Sequence, residues 1–209
     1  GADDFVSKPF RAPELAAPAL QKGCDARDFA ACTALGRLHE ERRIAGANDA
    51  AARAAYLSGC GNGDAPEACG RLGALERRLG GDATAEPFLT LGCRRGYAEA
   101  CAGLGDVLAA RGDHAGASRQ RDRSCRAGVG RACVQLADAY RAGQGVPRSE
   151  ALANEWTARG CSAGAGEGEQ CLVAGIALAR PGRAAMALPL LEPACAGGQA
   201  RACAALANV

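Results

Sequence analysis

Aromatic residues are scarce in this chain, at 4% of 209 residues, and it holds only two His, one Met and one Trp. So few bulky fillers exclude a conventional sheet sandwich and favour closely packed helices rich in Ala and Gly. No apolar stretch approaches the roughly 18 residues that a membrane-spanning helix needs. A charge excess of one sign is also missing: 25 basic residues are interspersed with 23 acidic ones, for a net charge of +2. That balance excludes an electrostatic footprint for nucleic acid or anionic membrane. No C-x-x-C occurs among the cysteines, and His39 and His114 are the only imidazoles. Structural zinc, which wants cysteines two to four residues apart, is therefore not expected, and neither is any other metal or cofactor.

What is abundant is cysteine itself. Twelve fall into six pairs: Cys24 and Cys32, Cys60 and Cys69, Cys93 and Cys101, Cys125 and Cys133, Cys161 and Cys171, Cys195 and Cys203. Successive pairs begin 36, 33, 32, 36 and 34 residues apart, a period at which helical-hairpin repeats stack. A Gly stands three residues past the first Cys in five of six units (Gly63, Gly96, Gly128, Gly164 and Gly198), with Arg27 the exception. Small-apolar signatures follow the second Cys, as in Leu35-Gly36, Leu72-Gly73, Leu104-Gly105, Leu136-Ala137 and Leu206-Ala207, with Ala174-Gly175 the loosest copy.

This spacing dictates local geometry. Eight residues of one straight helix would hold two Cα atoms roughly 12 Å apart, beyond the ~7 Å limit of a disulfide. A bridged pair must straddle a chain reversal, and the recurrent Gly supplies the left-handed residue that ends a helix there. Asp64-Ala-Pro-Glu67 reads as a capping box opening the next helix. Between units lie 23 or 27 residues, enough for two helices of about three turns and a short connection. Turn chemistry at Gly46, Gly80, Gly112, Gly182 and Gly143-Gln-Gly145-Val146-Pro147 marks that connection. Pro18, Pro87 and Pro189 share a register six residues before a first Cys, which predicts a tolerated kink or a late helix start.

The segment Cys133-Val-Gln-Leu-Ala-Asp-Ala-Tyr140-Arg-Ala-Gly143-Gln-Gly145-Val146, continuing through Ala151, Ala153 and Trp156 to Cys161, closely resembles a Sel1-like repeat. The other units are similar to shortened, tetratricopeptide-length copies, and the resemblance covers about residues 14 to 209. The paired cysteines resemble the secreted, cysteine-rich, Hcp-like branch of that family. The resemblance implies an all-α fold, a right-handed α/α superhelix of αα-hairpins in which each cysteine pair bridges adjoining helices. It implies an adaptor or an immunity-type inhibitor that binds a protein or peptide through its concave face. Some members of that branch carry a beta-lactam-binding or beta-lactamase label; this is the alternative reading, without an S-x-x-K, S-D-N or K-T-G motif to support it.

The expected organisation is an irregular segment at residues 1–13, then a single array at 14–209 with a half unit, five hairpins and a terminal helix from about Ala200. A chain that starts at Gly1 with Met186 as its only Met is expected to have been processed, and six local bridges fit an oxidising, periplasmic or extracellular compartment. In tetratricopeptide geometry, positions five, eight and nine after each second Cys line the groove: Arg37, Glu40, Glu41, Arg77, Arg78, Asp106, Asp138, Arg141, Ile176 and Arg180. Arg77, Arg78 and Arg141 are the expected carboxylate clamps. His39 and Trp156 are expected to pack between helices, and His114 to be solvated. Neither His stands near a Ser or Cys with nucleophile spacing, so no catalytic residue is assigned and the chain is read as a non-enzymatic monomer.

Overall fold

The computed structural model describes residues 12–61, 65–165 and 168–209, and every element among them is helical. Twelve helices follow in order: α1 Ala12–Asp25, α2 Phe29–Glu40, α3 Asp49–Gly61, α4 Pro66–Gly80, α5 Asp82–Arg94, α6 Ala98–Ala110, α7 His114–Arg126, α8 Gly130–Ala142, α9 Glu150–Ser162, α10 Gly168–Leu178, α11 Ala184–Ala196 and α12 Ala200–Leu206. Of the segment expected to be irregular, residues 1–11 lie outside the described residues, and Ala12 already opens α1. The helices gather into two compact units, one ending at Ala100 in the first turn of α6, the other Cys101–Val209.

The five reversals at cysteine pairs that lie among the described residues use the same backbone. The N–H of the residue three past the first Cys donates to that cysteine's carbonyl, and the next N–H reaches the carbonyl just before the Cys. Gly128 N to Cys125 O at 2.9 Å and Val129 N to Ser124 O at 3.2 Å form one copy. Gly164 with Ala165, and Gly198 with Gln199, form others. This is a Schellman closure, which requires a left-handed residue. Gly96, Gly128, Gly164 and Gly198 supply it with φ between 76 and 97°. Gly63 and Asp64 lie outside the described residues, and α4 opens on Ala65 as its N-cap, without a side-chain cap bond and with Pro66 in its first turn, instead of on the expected capping box. Arg27, the exception in the sequence, adopts the same conformation at φ 65° and makes the same pair of bonds through Arg27 and Asp28. A side chain there carries the steric cost that glycine avoids. Arg27→Gly should therefore raise the unfolding free energy by about 0.5–1 kcal/mol, after glycine's larger unfolded-state entropy is subtracted. Urea titration of the two proteins measures it.

The reversals bring the paired cysteines within each unit together. Cα–Cα distances are 4.6 Å for Cys24–Cys32 and Cys60–Cys69, 4.8 Å for Cys125–Cys133 and Cys195–Cys203, and 5.8 Å for Cys161–Cys171. Cys93 and Cys101 are also disulfide-bonded, and no described cysteine is free. Several helices open on side-chain caps: Asp28 accepts from the Ala30 and Ala31 N–H groups, Asp113 from Gly116, and Ser149 from Leu152. The register prolines resolve as interior residues, since α1, α5 and α11 run through Pro18, Pro87 and Pro189 without a late start. One turn differs from expectation. Gly80 completes α4, and its neighbour Gly81 takes the left-handed conformation at φ 92°.

Each unit holds its own core. In the first, Tyr56, Leu72 and Leu75 are fully buried with Ala52, Ala68, Cys60 and Cys69. In the second, Leu172, Leu178 and Leu191 pack with Ala158, Ala174, Ala187 and Ala202. Small residues set the helix approach: a Cβ on Gly36 would lie 2.4 Å from the Tyr56 ring, and one on Gly73 would lie 2.6 Å from Leu89. Gly36 and Gly73, each a small residue after a second Cys, are therefore seats for the following helix.

Candidate interaction surface

In the first unit, α2 and α4 are the leading helices of successive hairpins, and they meet through charged side chains. Glu40, in the last turn of α2, is held from three directions. The buried Tyr56 hydroxyl of α3 donates to its carboxylate at 2.7 Å, and Arg71 and Arg78 of α4 each stand 3.6 Å away. Arg78 also donates to Asp49 at 3.2 Å, and Arg42 lies 3.0 Å from the same carboxylate. Toward the other end of α4, Arg71 donates to Glu67 at 2.7 Å; Arg37 approaches Glu67 at 3.9 Å and Glu41 at 3.8 Å. Four of the residues assigned from sequence, Arg37, Glu40, Glu41 and Arg78, thus belong to one network. Burial, followed by the Glu40 carboxylate, pushes the Tyr56 hydroxyl far above its ordinary range, so it remains a donor at any physiological pH.

Arg42, Asp49, Glu67, Arg71 and Arg43, which stands 3.5 Å from Glu41, complete this network and were not assigned as groove residues from the sequence. Two signals could have found Arg71: it stands four residues after Glu67, the favourable helical ion-pair spacing, and seven before Arg78, hence on the same face. Arg77 donates to Asp82 at the start of α5, at 2.8 Å.

In the second unit the assigned residues stand in separate groups. Asp106 accepts from Gln135 at 2.9 Å and from Arg121 and Arg131 at 3.5 and 3.4 Å. Arg141 donates to Asp138 at 2.7 Å and, inward, to the Thr157 hydroxyl at 2.7 Å. Thr157 is 1% exposed, so Arg141 braces α8 against α9 as well as reaching solvent. Arg180 is exposed, and Ile176 packs at the edge of the apolar core.

His39 is half-buried beside Leu35 and Ala55, and its Nδ1 is buried without a hydrogen-bond partner. Burial lowers its pKa from 6.5, so the ring is neutral at pH 7. His114 is exposed at the start of α7. Trp156 is 8% exposed, flanked by the guanidinium carbons of Arg159 at 4.8 Å and Arg126 at 5.9 Å from its ring centre. Among the described residues no group of His, Cys, Asp and Glu could hold a metal ion, and no helix is long and apolar enough to cross a membrane.

No family model and no curated protein matches this sequence. Solved structures do match in fold. A Sel1 repeat protein from Oxalobacter formigenes superposes with a TM-score of 0.68 at 18% identity, over 92% of this chain and 82% of that one. The protective antigen c5321 of uropathogenic Escherichia coli strains, described as displaying an SLR fold, superposes with a TM-score of 0.65 at 21% identity. That match covers 89% of this chain but only 42% of the antigen. The fold is therefore that of Sel1 repeat proteins, with disulfide-bonded cysteines at its helical reversals.

Proposed function

We propose that this Sel1-fold chain is an exported binding scaffold that holds a polar protein or peptide against the leading helices of its hairpins. The observation that carries the reading is the network on α2 and α4. Nine charged side chains from two successive hairpins form one continuous surface with both signs of charge. Arg37 and Arg78 keep 47% and 53% of their side chains exposed while their acids hold them in place. Preorganised guanidiniums lose little further entropy when a partner's carboxylate replaces one of those acids or joins it. Glu41 offers the complementary site for a basic group. Asp106, Asp138 and Arg141 on the leading helices of the second unit, with Arg180 just past the end of α10, are proposed to serve the same function. Export is supported by the disulfides, which persist in oxidising compartments.

The test is binding to a partner identified by capture on the oxidised protein. Arg37→Ala with Arg78→Ala should weaken binding more than ten-fold, about 1.4 kcal/mol. The melting temperature should barely move, since both side chains are exposed and their ion pairs contribute little to stability. Arg141 is a poorer probe, because its removal strips a donor from buried Thr157. Unchanged affinity in the double variant would reject the α2–α4 surface.

A further inference from the structure

We propose that the second unit carries a separate pocket for a polypeptide's free C-terminus, with Arg159 receiving the α-carboxylate and an apolar last side chain filling the space beside it. The pocket has a volume of about 380 Å³ and opens between α7, α9 and α11, the trailing helices of their hairpins. Its walls are the Cys125–Cys133 disulfide, Ala158, Ala163 and Met186, which are apolar, with the Ser162 hydroxyl and two guanidiniums, Arg126 and Arg159, beside them.

The two guanidiniums differ in charge balance. Arg126 donates to both oxygens of Asp122, at 3.0 and 2.9 Å. Arg159 is exposed, and among the described residues no carboxylate pairs with it. The Trp156 ring holds its guanidinium, 4.8 Å from the ring centre. Stacking on an aromatic face fixes the planar fork without neutralising it, which leaves its N–H groups oriented for a bidentate acceptor. One unpaired guanidinium matches a single negative charge better than a phosphate dianion. The apolar walls ask for a hydrocarbon group on the same ligand. A C-terminal residue carries its carboxylate and its side chain on one Cα, and only one end of the chain must leave the pocket. An internal acidic residue carries its carboxylate at the tip of its side chain and has no separate hydrocarbon side chain on the same Cα to place against those walls.

This site shares no residue with the α2–α4 surface, so the two assignments stand or fall separately. Trp156 is the only tryptophan and stacks on Arg159, so its fluorescence reports a ligand that engages that guanidinium. The probes are N-acetyl-Gly-Gly-Leu as the free acid, the same peptide as its amide, and N-acetyl-Gly-Glu-Gly amide, each titrated into the oxidised full chain. The expected result is a saturable change in Trp156 emission with the free acid, a loss of at least ten-fold in affinity with either amide, and a similar loss in Arg159→Gln. Arg37→Ala with Arg78→Ala should bind the free acid normally. Circular dichroism of Arg159→Gln should match the parent, since that side chain has no described partner beyond the Trp ring. Equal binding of the Leu acid and its amide, tighter binding of the Glu peptide, full affinity in Arg159→Gln, or no saturable change with the free acid would each overturn the proposal.

Discussion

Reduction of all the disulfides is expected to unfold the protein at room temperature in native buffer. Each described bridge closes a loop of only eight to ten residues of separation. In the chain-entropy account a loop of about nine residues contributes roughly 2.5 kcal/mol. The loops do not overlap along the chain, so their effects on the unfolded ensemble add. Six of them supply about 15 kcal/mol, as much as the whole stability of a typical domain. Far-UV circular dichroism before and after reduction tests this, and native helicity retained at full thiol titre would refute it. A graded version replaces one pair. Cys125→Ala with Cys133→Ala should lower the unfolding free energy by about 2–4 kcal/mol while the rest of the ladder remains closed. Peptide mapping without reduction should return each cysteine linked to its nearest neighbour in sequence.

Gly145→Ala is the single substitution expected to cost most, and Gly46→Ala is its control. Both glycines sit in hairpin connections with φ 71°. A Cβ on Gly46 meets nothing within 4 Å, so alanine there bears only the left-handed penalty of about 1–2 kcal/mol. A Cβ on Gly145 would lie 2.2 Å from the carbonyl carbon and oxygen of His114 and 2.4 Å from the Ala115 nitrogen. Those are backbone atoms in the first turn of α7 and cannot rotate aside. The same connection is fastened by the Ser118 hydroxyl, which donates to the Gln144 carbonyl at 3.3 Å. Displacing the turn adds an overpacking cost of about 1–3 kcal/mol. Gly145→Ala should therefore destabilise by about 3–4 kcal/mol against about 1–2 for Gly46→Ala. Equal losses in urea titrations of the two variants would show that the close approach has no energetic weight.

The fold was legible because its repeat is written in residues with few alternative uses. A left-handed backbone selects glycine and a disulfide selects cysteine, so Gly96, Gly128, Gly164 and Gly198 beside their cysteine pairs announce the reversals. Legibility fails where the constraint is met by other means. Arg27 takes the glycine conformation without glycine, and in Gly80-Gly81 either residue could have served until the length of α4 decided it. The interaction surface was less legible, because ion pairing across hairpins depends on rotamers and helix approach. Counting positions from each second Cys found Arg78 but also its neighbour Arg77, which donates to Asp82, and passed over Arg71. The Arg141 bond to Thr157 spans 16 residues, and Arg126 stacks near a ring 30 residues away, counted from 126 to 156. No local pattern carries contacts at such range.

The nearest-neighbour pairing of the cysteines also bears on how the chain acquires its shape. Twelve thiols admit on the order of ten thousand complete pairings, a search that would trap most chains. Loop closure over some ten residues takes only about 10–100 ns, so each thiol meets its native partner far more often than any other. A hairpin can therefore oxidise as soon as its own reversal has emerged, in the order of synthesis and without waiting for the chain's other end. Oxidation then proceeds as a sequence of short, mutually independent events, with little need for a disulfide-shuffling catalyst to correct them.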